Sequence, residues 1–158
     1  MAAVRRLNHA VLYVRDAARA AAFYTEVLGM EVVADVDGRA VFLRAADTEN
    51  HHDLGLFSLG ADAPGPQRGR VGLYHLAWQV DTIDDLVAMR EALTERGALV
   101  GESDHGVSKS LYAVDPDGNE LEVMWKVPSE AWTPGDDTAV RPLALTSEVA
   151  RWSGVTTR

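Results

Sequence analysis

The sequence predicts an α+β fold built from two tandem βαβββ modules, and three features carry that expectation. The strand-like run Leu7 to Val14, LNHAVLYV, returns 66 residues later as Leu73 to Val80, LYHLAWQV, which sets His9 against His75 and Val14 against Val80. Each run leads into a helical segment that closes on glycine, Gly29 in the first copy and Gly97 in the second. Each copy also carries a turn between alternating runs, Asp37-Gly38 in the first and Asp115-Pro116-Asp117-Gly118 in the second. A residue type that recurs at one position of both copies therefore carries more information than one that occurs once.

The first module spans residues 1–59. Asp16 caps an alanine-rich helix over Ala17 to Leu28, strands follow at Met30 to Val36 and Ala40 to Ala45, and a polar loop at Asp47 to Asn50 leads into His51 to Leu59, HHDLGLFSL. Residues 60–72, rich in Gly and Pro, read as a linker. The second module, 73–126, repeats the order, with an amphipathic helix over Asp81 to Arg96 that carries Ile83, Leu86, Val87, Met89 and Leu93 on or near one face. In its last hairpin Leu121, Val123 and Trp125 point to one side and Glu120, Glu122 and Met124 to the other. Residues 127–158 form a tail broken by Pro128, Pro134, Gly135 and Pro142, with one or two helical turns expected at Thr146 to Trp152 and no chemistry assigned.

With 158 residues, 47% of them hydrophobic, the chain has enough apolar material for a real core. Fifteen basic against twenty-four acidic residues give a net charge of −9 and no basic cluster, which argues against nucleic acid or an anionic membrane as partner. The absence of cysteine leaves His, Asp and Glu as the only side chains able to hold a metal. No run approaches a membrane span and no signal-peptide segment stands at the start, so a soluble, cytoplasmic protein is expected.

His9, His75 and Glu122 are each unremarkable alone; a single strand histidine reads equally as an ordinary hydrogen-bonded residue. Together they mean more. If the modules curl into facing halves related by a pseudo-twofold axis, two imidazoles and one carboxylate converge from rigid strands, which is the facial triad of non-haem Fe(II) oxygenases. Beyond the helices the repeat offset drifts to 68, setting the apolar Leu54 opposite Glu122, so no fourth ligand is expected. His52 shares the strand parity of Leu54, and its imidazole suits acid/base work near neutrality. His105 and Tyr112 are further candidates, each with an ordinary structural alternative; Glu120 and Asp53 read as solvated or supporting residues.

From Arg6 to about Lys126 the segments LNHAVLYVRD, FYTEVLGMEVV, LYHLAWQV and DPDGNELEV resemble the vicinal-oxygen-chelate superfamily of glyoxalases, bleomycin-resistance proteins and dioxygenases. NHHDLGLF, HLAWQV and DHGVSKSLYAVDPDGNELEV are most similar to extradiol ring-cleavage dioxygenases of the catechol 2,3-dioxygenase type. The resemblance implies a curved mixed-sheet half-barrel around a metal site, with His9, His75 and Glu122 binding Fe(II), or Mn(II) as in some members. It implies that His52 is the acid/base residue, that His105 is a supporting histidine, and that Tyr112 lines the substrate site. The partners implied are a small aromatic diol and O2, in a homodimer. Within the same superfamily the alternatives are a thiol transferase of antibiotic resistance and a glyoxalase-like or epimerase-like isomerase. From another class comes a metal-free protein that binds a drug or metabolite.

Overall fold

A computed structural model of the chain describes residues 1–157. The chain divides into two compact units, and the boundary falls between Pro66 and Gln67, within the Gly- and Pro-rich segment. The first unit holds β1 (Ala10–Val14), α1 (Ala17–Leu28), β2 (Glu31–Val36), β3 (Ala40–Arg44) and β4 (Leu54–Ser58). The second holds β5 (Leu76–Val80), α2 (Ile83–Glu95), β6 (Leu99–Asp104), β7 (Ser108–Val114) and β8 (Glu120–Lys126). Each unit is the expected βαβββ module, and each forms one open four-stranded sheet, ordered β1-β4-β3-β2 in the first and β5-β8-β7-β6 in the second. In both, the first and last strands pair in parallel and the remaining pairs are antiparallel. The fold is α+β, with two mixed sheets and no closed barrel.

Local chemistry sets the boundaries of α1. Asp16 Oδ1 accepts from the N–H groups of Ala18 and Arg19, satisfying two donors that the first turn leaves without partners. At the other end Gly29 takes φ 66°, a left-handed conformation that other residues rarely adopt, and its N–H donates to Tyr24 O. Ala17, Ala20, Ala21, Tyr24 and Val27 form the buried stripe between these caps. The helix of the second unit starts at a reciprocal cap, in which Thr82 Oγ1 accepts from Asp85 N and the Asp85 carboxylate accepts from Thr82 N.

Ile83, Leu86 and Leu93 of α2 are fully buried, as are Leu111, Ala113 and Trp125, with Leu121 and Val123 almost so. Each large side chain among them contributes roughly 1.5–3 kcal/mol by leaving water. The Asp37-Gly38 turn has φ of 49° and 68°, the two positive values required by the tight turn that matches strand twist. Between β7 and β8, the buried Asp115 accepts from the N–H groups of Asp117 and Asn119, so its carboxylate organises the whole turn.

Two expectations change. Strands β1, β4 and β5 begin at Ala10, Leu54 and Leu76, so His9, His52 and His75 precede strands instead of lying within them. The ladder supplies the reason, because the parallel pairing of β1 starts at Ala10 opposite Leu54 and that of β5 at Leu76 opposite Leu121. The same register corrects the repeat. Leu54 corresponds to the equally buried Leu121, and the counterpart of Glu122 is Gly55. Gly55 lies opposite Phe42 as Glu122 lies opposite Tyr112.

The tail packs on the second unit. After short 3-10 turns at Ser129–Ala131 and Asp136–Thr138, α3 (Leu145–Trp152) brings Trp152 to 6.0 Å from the Trp125 ring. Ser153 Oγ and Gly154 N donate to the Asp84 carboxylate, and Thr157 Oγ1 donates to Lys126 O. Among the described residues no helix is long and apolar enough to cross a membrane. Replacing Asp16 with Ala is expected to cost about 1 kcal/mol, with Asn at the same position restoring most of it. Equilibrium urea unfolding reads this, and an unchanged midpoint for Asp16→Ala would contradict the capping account.

Candidate functional site

The second unit gathers four of the candidates. His75 stands one residue before β5, and the parallel register sets Ala77 opposite Glu122, so the imidazole reaches the carboxylate across the strand pair. His75 Nε2 lies 3.1 Å from Glu122 Oε2, with both side chains largely buried. Tyr112 is directly opposite Glu122 on β7, and its ring is 5.9 Å from that of His75. His105, in the loop between β6 and β7, places Nε2 2.7 Å from the Tyr112 hydroxyl. The Tyr74 ring lies 4.8 Å from that of His75 between centroids. Burial pushes the Tyr112 phenol above its ordinary pKa, and the Glu122 carboxylate, Tyr74 and Glu120 push the same way, so its proton is held firmly.

The first unit gathers the other two. The His9 and His52 rings are 4.6 Å apart, and His52 also packs edge-on against Phe42 at 4.9 Å. The His9 ring meets the Asn8 amide oxygen through Nδ1 at 2.8 Å. Because that oxygen only accepts, Nδ1 donates to it, and in the neutral ring Nε2 then has the lone pair. Burial lowers the His52 pKa, and the neighbouring His9 and His51 lower it further while Asp53 opposes them. The result is a neutral imidazole, the form that can take a proton. The parity argument for His52 fails, since Leu54 points into the core; the ring reaches the Phe42 face because it belongs to the preceding loop.

That loop is held by Asp53, whose carboxylate accepts from Ala45 N and from the Asn50 amide. The Asn50 amide donates in turn to Asn8 O, while its oxygen accepts from Asn8 Nδ2 and Arg6. Asp53 and Asn50 thus fix the segments carrying His52 and His9, a supporting role already suggested for Asp53.

Among the described residues no group of three or more His, Asp or Glu side chains is arranged to hold a metal. Two of the three expected ligands, His75 and Glu122, are together, and His9 lies in the first unit. The pair suits a divalent ion on its own terms. Two donors at right angles on bonds of about 2.1 Å lie about 3.0 Å apart, close to their observed separation. The other ring nitrogen, His75 Nδ1, is buried without a hydrogen-bond partner, and an ion held through Nε2 would not satisfy it.

Comparison with known proteins fits this arrangement. The profile of the Glyoxalase/Bleomycin resistance protein/Dioxygenase superfamily matches residues 6–123. The chain belongs to this superfamily. Catechol-2,3-dioxygenase of Bacillus subtilis is 31% identical over 130 residues, which cover 80% of this chain and 43% of that protein. Biphenyl-2,3-diol 1,2-dioxygenase 3 of Rhodococcus globerulus is 34% identical over 126 residues, covering 78% and 65%. The chain therefore spans less than two thirds of either relative. Among solved structures, lactoylglutathione lyase from Agrobacterium tumefaciens aligns with a TM-score of 0.57 at 27% identity, covering 76% of this chain and 92% of its own.

Sequence reasoning missed one polar group in this superfamily member. Lys109 is only 5% exposed on the core side of β7, where it pairs with Asp104 and lies 3.6 Å from Glu148 of α3. The signal was present: Lys109 shares strand parity with Leu111 and Ala113, and a lysine on a core face demands partners. Burial alone would raise the Asp104 carboxyl. Hydrogen bonds from Lys109 and Gly106 N–H, with the charges of Lys109 and Arg141, outweigh it and hold the group below the ordinary value. A depressed carboxyl contributes stability above its unfolded pKa and loses that contribution as pH falls through the folded one. Asp104→Asn is therefore expected to lose roughly 3 kcal/mol at neutral pH and to show a shallower decline below pH 4, measured by urea unfolding across acid pH.

Proposed function

We propose that this protein is an extradiol dioxygenase that opens a catechol-type ring with O2, using Fe(II), or Mn(II), held by His75, Glu122 and His9. The observation that carries the reading is the His75 and Glu122 pair with Tyr112 beside it, in a chain about 30% identical to enzymes named as catechol and biphenyl-diol dioxygenases. His9 enters as the third ligand from the sequence repeat that matches it to His75, and its Nε2 lone pair suits that role. When bound, the metal supplies a Lewis-acid centre that lowers the pKa of a catechol hydroxyl and leaves positions for both reactants.

The protein's own groups do the rest. A single carboxylate, Glu122, leaves a divalent site positively charged and so suited to a catecholate anion. His52, neutral at working pH, takes a proton from the diol and returns one as the ring opens. Tyr112 meets a substrate oxygen, and His105 acts through the Tyr112 hydroxyl because both of its ring nitrogens are already engaged.

An isomerase reading draws support from the likeness to lactoylglutathione lyase. Against it, Gly55 at the counterpart of Glu122 supplies no side-chain ligand.

Anaerobic loading with Fe(II), followed by catechols and O2, is expected to give the yellow ring-opened product. His75→Ala and Glu122→Gln should each weaken metal retention by 10-fold or more, while His52→Phe keeps its iron and loses turnover about 100-fold. Firmly bound iron with no product from any diol would favour the isomerase or transferase, and failure to bind any divalent metal would favour a metal-free binding protein.

A further inference from the structure

The tail, to which the sequence assigns no chemistry, makes a contact that bears on the site. His105 Nδ1 lies 3.0 Å from the carbonyl oxygen of Ala139, and Nε2 lies 2.7 Å from the Tyr112 hydroxyl. A carbonyl only accepts, so Nδ1 must carry the proton. In a neutral ring Nε2 is then an acceptor, and the Tyr112 hydroxyl must donate to it. The Tyr112 oxygen is left with lone pairs only for any group on its other side.

The strap from Asp136 to Arg141, a 3-10 turn that leads into the bridged Arg141, is held in place by several contacts. Asp104 N donates to Arg141 O at 2.8 Å and Arg141 N donates to Asp104 O at 2.9 Å, a two-bond bridge one residue before His105. One residue after it, Gly106 has φ 73°, and a Cβ there would lie 2.6 Å from Asp136 Cβ, so glycine permits the close approach of the strap. Downstream, α3 is anchored by Glu148 beside the buried Lys109 and by Trp152 beside Trp125.

We infer that Ala139 is a positioning residue of the active site: its carbonyl fixes His105 in the Nδ1–H tautomer, and the Tyr112 hydroxyl thereby becomes an acceptor towards substrate. The consequence for specificity rests on the dioxygenase reading, because it calls for a substrate that presents a protonated hydroxyl to Tyr112. Such a group is the second O–H of a singly deprotonated diol. A substrate with only anionic or carbonyl oxygens at that point would meet lone pairs with lone pairs. The tautomer itself follows from the protein alone.

Long-range 1H–15N spectra of the full chain with 15N-labelled histidine test the assignment without substrate. Wild type is expected to show His105 with a protonated Nδ1 and a bare Nε2. Tyr112→Phe removes the other partner and should leave this pattern intact; loss of it would make Tyr112 the determinant and overturn the inference. Arg141→Pro deletes one N–H of the bridge and should mix the two tautomers, while Arg141→Ala, which keeps the bridge, should match wild type. In Fe(II)-loaded protein Arg141→Pro is expected to lower kcat about 10-fold with KM little changed. A bare Nδ1 in wild type, or an unmoved tautomer in a folded Arg141→Pro protein, would overturn the role of the strap. If Arg141→Pro does not fold, Gly106→Ala serves as the second variant, displacing the strap from the Asp136 side with the same two outcomes. The expected tautomer with no ring cleavage of any diol would remove the dioxygenase reading and leave the positioning assignment standing.

Discussion

The parallel pairing of the first and last strands in each module is the constraint on which the rest depends. Parallel strands cannot be joined by a tight turn; they need a long crossover, which here is a helix and two antiparallel strands. The pairing brings residues distant in sequence into adjacent lanes of a rigid ladder. In the second unit it places His75 beside Glu122, although the whole of α2, β6 and β7 lies between them in the chain. The ladder fixes the backbone of Glu122 and that of Leu76, and His75, directly before Leu76, is held by that adjoining pair. A site that must hold two donors about 3 Å apart gains from such rigidity, since a looser frame would let the carboxylate swing away.

The buried Lys109 cluster is understandable in the same terms. An ammonium taken out of water is costly, and its ion pairs with Asp104 and Glu148 offset that cost without necessarily adding net stability. Its effect is one of specificity: only one seating of α3 supplies Glu148 to the lysine. Apolar packing of Trp152 against Trp125 would tolerate some sliding of the helix, whereas an unpaired buried charge would not. The register of the tail, and with it the position of the Ala139 carbonyl, is tied to the strand that carries Tyr112.

What was legible in the sequence follows the same physics. Helix α1 was read to the residue because Asp16 and Gly29 are chemical stops, and the Asp37-Gly38 turn because few residues accept two positive φ angles. The equivalence of His9 and His75 was legible through repetition, since each stands immediately before the first strand of a module. Strand starts were not legible: β propensity at Leu7 or Leu73 does not reveal whether a neighbouring strand is there to pair with. The misalignment of Leu54 with Glu122 has a related cause. One residue of difference in a turn is invisible in sequence, yet in a strand it exchanges the two faces. The contact of Ala139 with His105 leaves no trace in residue type, because the group that matters is a backbone carbonyl common to every residue.

The corrected register also explains how two copies of one module come to differ. At equivalent positions the second unit has Ala77, Glu122 and Tyr112 where the first has Val11, Gly55 and Phe42. The second set pairs two polar side chains, Glu122 and Tyr112, with the small Ala77. In the first set, a Cβ on Gly55 would lie 3.4 Å from both Phe42 and Val11, so any larger side chain there would be wedged between two apolar groups. Phe42 is not idle, because it supports the edge of His52, the neutral imidazole of that unit. A carboxylate at the Gly55 position would crowd Phe42 and place a negative charge near the His52 imidazole, which would raise its pKa. The absence of a side chain at Gly55 thus leaves Phe42 in contact with the His52 ring and adds no charge beside it.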